Sequence, residues 1–218
     1  MRAVVVGHRA GNTAEGVRAA VGVADVAEAD VHLFRGRLEV RHGKTLGPLA
    51  RQWERWHLLD RDAPRPSLHE IVAAAEGRIP LMLDLKGPDP RLGRRALDAA
   101  RPLLPSPGVF VSARVWRTAD RLRGAPGVTT LLSVGSRRGL GALLRRRAGS
   151  VEGVAIHRAL LTPHVAAELR ARAGLLWTWP VDDPDDARRI CAWGVNGLIS
   201  DAPGRLGMRS GDGWSGER

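Results

Sequence analysis

A chain of 218 residues, 44% of them hydrophobic, can bury a full core, and its single cysteine, Cys191, excludes an internal disulfide framework. No apolar run reaches the length of a membrane span, and the opening MRAVVVGHR enters a strand too soon to hold a signal-peptide core, so a soluble cytoplasmic protein is expected. The net charge of +11 would suit a nucleic-acid binder, but nearly all of it is arginine (lysine occurs only at Lys44 and Lys86) and no motif interleaves aromatics with basic residues as single-strand binders do, so no specific nucleic-acid partner is expected.

Apolar runs of strand length alternate with helical patterns along the chain. Residues 3–7 read as a strand and TAEGVRAAVG as a helix. A second strand covers 25–31, and a further extended piece, RLEVRH, ends at His42. Within 44–66 only LARQWERWHLL is patterned, as a helix presenting Trp53, Trp56 and Leu59 on one face. Ser67 and Glu70 have the spacing of a capping box that opens the helix LHEIVAAAEG. Strand 80–85 precedes helix 91–103, with Pro88 and Pro90 in the turn between them. Strand and helix then alternate at 108–112 and 115–123, 128–134 and 137–147, 151–156 and 163–172, and 174–179 and 184–193, before a last strand, 196–200, ends at Asp201. Cys191 falls in an apolar helical stretch as a packed thiol, and Arg145, Arg146 and Arg147 are placed to complement a helix C-terminus.

Eight strands separated by helices imply parallel pairing, because each crossover needs a helix. The expected fold is a closed (β/α)8 TIM barrel, one compact domain over 1–208, with the glycine-rich residues 209–218 as a flexible tail. An open doubly wound sheet is the alternative, but no glycine-rich phosphate loop follows the first strand. In a barrel of this kind, groups at the C-terminal ends of the strands share one mouth.

Polar clusters stand at or just after those ends. Glu28 and Asp30 are one residue apart, so both point to the same face of a regular strand. They either share a cation or sit idle on a frayed outer end. Asp84 is embedded in the apolar run PLMLDLK, where a carboxylate is costly unless it pairs with Lys86 or binds the same cation. Three carboxylates without cysteine ligands suit Mg2+ or Ca2+ better than zinc. His8 and His42, each at a strand end, are candidates for acid–base work; singly, each also reads as a surface or satisfied core histidine. His157 could line the mouth too, whereas His32, His57, His69 and His164 have weaker claims. Trp177 and Trp179 alternate along the seventh strand, either as core packing or, for Trp177 first, as an apolar wall beside a ligand.

With these residues in place the chain resembles the glycerophosphodiester phosphodiesterase family, from residue 4 to residue 203. The family's opening His-Arg-Gly and Pro-Glu-Asn-Thr stretches appear as GHRAGNT, with His8, Arg9, Asn12 and Thr13 matching. Its Glu-x-Asp-Val segment appears as EADV, and its His-Asp strand end as RLEVRHG, with His42 matching. PSLHE, DLK, WTWP and GVNGLISDAP follow in the family's order. The departures are Ala10 for the motif glycine, Gly11 for a glutamate, Gly43 for an aspartate, Asp84 for a glutamate and Pro180 for an asparagine. The resemblance implies a barrel that cleaves a small-molecule glycerophosphodiester to glycerol 3-phosphate and an alcohol, with a divalent cation, Mg2+ or Ca2+. It implies that Glu28, Asp30 and Asp84 hold the ion, that Arg9 and Lys86, with Trp177 beside them, bind the substrate and its phosphate, and that His8 and His42 exchange acid and base roles. Two alternatives share the same residues: a phospholipase D-like lyase acting on lipid or sugar phosphodiesters, and a degenerate barrel that binds a phosphorylated ligand without turnover.

Overall fold

Runs rich in valine, leucine and isoleucine form strands that are buried on both faces, as parallel strands require. The computed structural model describes residues 2–46, 51–54, 57–58, 65–104, 106, 108–147 and 149–207, with the pieces between 44 and 58 described by their backbone. The order is β1 (Val4–Gly7), α1 (Ala14–Ala20), β2 (Val26–Phe34), β3 (Arg37–Val40), β4 (Lys44–Leu46), β5 (Arg51–Glu54), β6 (His57–Leu58), α2 (Leu68–Ala75), β7 (Leu81–Lys86) and α3 (Leu92–Ala99). It continues with β8 (Val109–Ala113), α4 (Trp116–Leu122), β9 (Val128–Val134), α5 (Arg137–Leu144), β10 (Gly153–His157), α6 (Pro163–Arg170), β11 (Leu175–Trp179), α7 (Pro184–Ala192) and β12 (Gly197–Ser200).

Eight of the strands pair in parallel in the order β1, β2, β7, β8, β9, β10, β11, β12, and β12 returns to pair with β1. The sheet is therefore closed, and the expected (β/α)8 barrel is the fold. Helix starts follow from local chemistry. The side chains of Thr13, Ser67, Ser136, Thr162 and Asp183 each accept a backbone N–H bond from the residue three positions on. The expected capping box of Ser67 and Glu70 is present in full.

β2 runs beyond the barrel and turns back into antiparallel β3 through Arg35 and Gly36, both with positive φ (47° and 80°), as a tight hairpin demands. That hairpin delivers His42 to the mouth. The helix expected over 49–59 is corrected: Arg51–Glu54 and His57–Leu58 are strands of a small antiparallel sheet with β4. Ladder pairing there overrides a helix-like spacing of apolar residues. Trp56, Leu59 and the tail 209–218 lie outside the described residues. The helix expected over 91–103 ends at Ala99 and is followed by a 3-10 turn, Arg101–Leu103, because Pro102 cannot donate the next helical bond.

Two apolar layers result. Between barrel and helices lie residues such as Ile71, Leu92, Leu169 and Ile190, each fully or almost fully buried; such a side chain contributes about 1.5–3 kcal/mol. Cys191 packs partly buried against this layer, and burial pushes its thiol pKa up. Inside the barrel Val4, Val6, Val26, Met82, Phe110, Leu131, Trp177 and Ile199 fill the lower half. The mouth therefore has an apolar layer beneath it. Among the described residues no helix is long and apolar enough to cross a membrane.

Candidate active site

β2 and β7 build the acidic floor. Asp30 and Asp84 face each other in the ladder, and Glu28 precedes Asp30 by two residues on the same face. Oxygens from all three carboxylates lie within 4.8 Å of one another. Glu28 and Asp30 are almost completely buried, at 3% and 1% exposure. Lys86, next on that face of β7, bonds Asp30 Oδ1 at 2.8 Å and also pairs with Asp84.

These charges set one another's proton affinities. Burial, then Asp30 and Asp84, push the Glu28 carboxyl well above the usual range. Burial acts on Asp30 in the same direction, but the Lys86 charge and hydrogen bonds from Lys86 and Asn12 outweigh it and hold that carboxyl low. Burial disfavours the Lys86 cation, yet Asp84, Asp30 and Glu28 together raise its pKa. His32, beyond Asp30 on β2, is brought down to about 4 by burial and by Arg41 and is neutral at pH 7.

The loop after β1 clamps the floor. Arg9 adopts a left-handed backbone (φ 58°) and donates its N–H to Glu28 Oε2 at 2.7 Å. Asn12 donates from Nδ2 to Asp30 Oδ2 at 2.9 Å and accepts the Asp30 N–H at 2.8 Å. Gly11 permits this approach: a Cβ there would lie 2.8 Å from Ala29 Cβ and 2.9 Å from the Glu28 carbonyl oxygen. The departure at Gly11 is thus a steric requirement of this loop.

The two histidines are held by different partners. His8 Nδ1 bonds Asp201 Oδ1 at 2.7 Å. Asp182 Oδ1 in turn accepts from Ser200 Oγ at 2.7 Å and from the Asp201 N–H at 2.8 Å, fixing the end of β12. His42 Nε2 lies 2.7 Å from Arg9 Nη2. A guanidinium only donates, so in this bond His42 Nε2 is the acceptor.

His8, Arg9, Glu28, Asp30, His42, Asp84 and Lys86 line one cavity of about 340 Å3, joined by Ser112, Ser133, Arg114, Trp179 and Asp201. A cavity of about 380 Å3 at the opposite end of the barrel, beside Val4, Ile79 and Phe110, brings no acid–base pair together. Its carboxylate, Asp25, is taken by Arg2 at 2.5 Å and the Val5 N–H at 2.8 Å. Trp177 is corrected from a mouth residue to a core residue, fully buried with its ring 4.8 Å from Phe110. Trp179, one layer nearer to solvent, takes the wall position. His157 is not on the wall; its Nδ1 accepts the Ala159 N–H at 3.2 Å. Sequence reasoning gave no role to Asp201, Asn12 or Arg114, although Asp201 ends a strand as the assigned residues do.

The floor fits a hard divalent cation. Three converging carboxylates provide its donor set, and Asp84 Oδ1 is buried with no hydrogen-bond partner among the described residues. Lys86 and the Arg9 N–H offset only part of this negative charge.

No family model matches the chain, and no curated protein matches it in sequence. Solved structures do. A phosphodiesterase from Oleispira antarctica in complex with the product sn-glycerol-3-phosphate is similar with a TM-score of 0.71 at 16% identity, covering 94% of this chain and 95% of that one. A glycerophosphodiester phosphodiesterase from Parabacteroides distasonis gives 0.72 at 19% identity, with 95% and 97% covered. That from Thermotoga maritima gives 0.67 at 18%, with 94% and 96% covered. At such identities the likeness establishes the shared barrel; chemistry has to be argued from the site.

Proposed function

We propose that the protein is a divalent-cation-dependent phosphodiesterase that hydrolyses glycerophosphodiesters to glycerol 3-phosphate and an alcohol. The observation that carries this reading is the meeting of three carboxylates, two histidines, Arg9 and Lys86 on one cavity. Its barrel is similar to those of phosphodiesterases, one of them holding sn-glycerol-3-phosphate.

Glu28, Asp30 and Asp84 would hold the cation, Mg2+ or Ca2+. When bound, it supplies positive charge to the phosphoryl oxygens while bonds to phosphorus change. Lys86 and Arg9 bring further positive charge to the non-bridging oxygens. As a phosphate draws the Arg9 guanidinium away, His42 Nε2 is released to take a proton from the attacking water. His8, oriented by Asp201 through Nδ1, hands a proton from Nε2 to the departing alkoxide. The water oxygen ends on phosphorus and the alcohol leaves neutral. Solvent then restores both rings.

The test is release of glycerol phosphate from glycerophosphoethanolamine with Mg2+ or Ca2+, repeated in EDTA. Turnover is expected with the ion and none after chelation. His8→Ala and His42→Ala are each expected to lower kcat about a hundred- to ten-thousand-fold. Turnover that survives EDTA, or that either alanine leaves intact, would overturn the proposal.

A further inference from the structure

Within the cavity Lys86 is engaged by two carboxylates and Arg9 by His42 and Glu28. Arg114 is different. It follows β8, lines the same cavity, and has no hydrogen bond or ion pair among the described residues. Asp84 faces Ser112 across the β7–β8 ladder. Arg114, just past the end of β8, is exposed and lines the cavity nearer to solvent than the acidic floor. Below it the nearly buried Ser112 and Ser133 also line the wall.

The surroundings strengthen the charge instead of cancelling it. Of the nine arginines among residues 114–147, Arg114, Arg117, Arg137 and Arg138 stand at the mouth end, after β8 and β9, and the other five at the far ends of α4 and α5; the single acid is Asp120. Asp120 is itself paired with Arg146 at 2.8 Å. Arg137 and Arg138 occupy the first turn of α5, just after β9 and hence at the mouth end of the barrel. The positive end of a helix makes a cation there unfavourable. An anion at the mouth relieves that repulsion.

A simple diester carries one charge, and the β1, β2 and β7 side of the rim already meets it. Its glycerol arm is neutral. From these placements we infer that the substrate's head-group arm bears its own anionic group, a carboxylate or its like, seated on Arg114. Arg114 is then a specificity-determining residue, with Ser112 and Ser133 supplying hydroxyls to the same arm. The inference rests on the phosphodiesterase reading of this cavity.

Glycerophosphoserine and glycerophosphoethanolamine differ by one carboxylate and isolate the question. With Mg2+ or Ca2+, kcat/KM for the serine diester is expected to exceed that for the ethanolamine diester by about tenfold or more, and Arg114→Gln is expected to bring the ratio near one. Arg114→Lys, which keeps the charge but loses the fork, should retain part of the preference. A ratio near one in the unaltered protein overturns the inference. So does an Arg114→Gln effect equal for both diesters, which would assign Arg114 to the scissile phosphate. If neither diester turns over, the phosphodiesterase reading fails, and calorimetric binding of the same two compounds decides Arg114 separately. Tighter binding of the serine diester that Arg114→Gln abolishes supports the assignment, and equal binding refutes it.

Discussion

Trp177 and Gly197 are paired across β11 and β12, and a Cβ at position 197 would fall 2.2 Å from the indole Cδ1. The indole occupies the space that a side chain would need. Gly197→Ala is therefore expected to destabilise the fold by about 1–3 kcal/mol through overpacking. In a Trp177→Phe background the same substitution should cost less, with a coupling of at least about 0.5 kcal/mol in urea denaturation. Strict additivity would mean that the two residues do not compete for this volume. The pair also marks a limit of reading sequence. Alternation gives the face of a strand but not the depth, so the sequence put Trp177 at the wall ahead of Trp179, and the barrel layers reverse that order. Asp201 was hidden for a related reason: its contact with His8 spans 193 residues of sequence, and only barrel closure brings their strand ends together. Asp84 was legible because a carboxylate inside an apolar run has few inexpensive explanations, and Glu28 and Asp30 because their spacing puts both on one strand face.

Elements are tied together at the rim by ion pairs of the Arg158–Asp186 kind. Arg158, in the turn after β10, donates from Nε and Nη2 to the Asp186 carboxylate on α7 at 2.7 and 2.6 Å. Those hydrogen bonds, aided by Arg189, hold the Asp186 pKa below the usual carboxylate value. A lowered folded-state pKa stabilises the protein above the unfolded value of about 4 and is lost as pH falls through the folded value. Near solvent the pair contributes about 1 kcal/mol or less. Asp186→Asn should therefore be less stable than the parent at pH 7, and the two stabilities should converge towards pH 3. A gap that persists unchanged into acid would assign the loss to something other than charge. At this scale most of the fold was readable, since β-branched runs, capping residues and prolines act locally. The helix read over 49–59 was not: its apolar spacing suited a helix, and Arg51–Glu54 and His57–Leu58 are instead held by hairpin ladders with β4 and with each other, which spacing alone does not reveal.

Closing the barrel converges three carboxylates on a floor that solvent hardly reaches, so the architecture that creates the site also strains it. Burial and the neighbouring Asp30 and Asp84 make the Glu28 anion unfavourable, and Lys86 lowers that cost only in part. A divalent cation that binds the folded form alone should stabilise it by about 2.7 kcal/mol at a hundred times Kd. For a chain of this size that is about 5–10 °C in Tm. Glu28→Gln removes one buried carboxyl whose ionisation is costly while keeping a carbonyl oxygen to accept the Arg9 N–H. In EDTA the variant is therefore expected to melt at or above the Tm of the parent, while its rise on adding Mg2+ or Ca2+ shrinks or disappears. Melting curves of both proteins, with and without ion, measure the two effects together. A variant that is less stable in EDTA and still gains the full rise would place the ion elsewhere. The opposite signs expected follow from one cause, since the electrostatic repulsion that weakens the ion-free barrel is what a cation on the floor relieves.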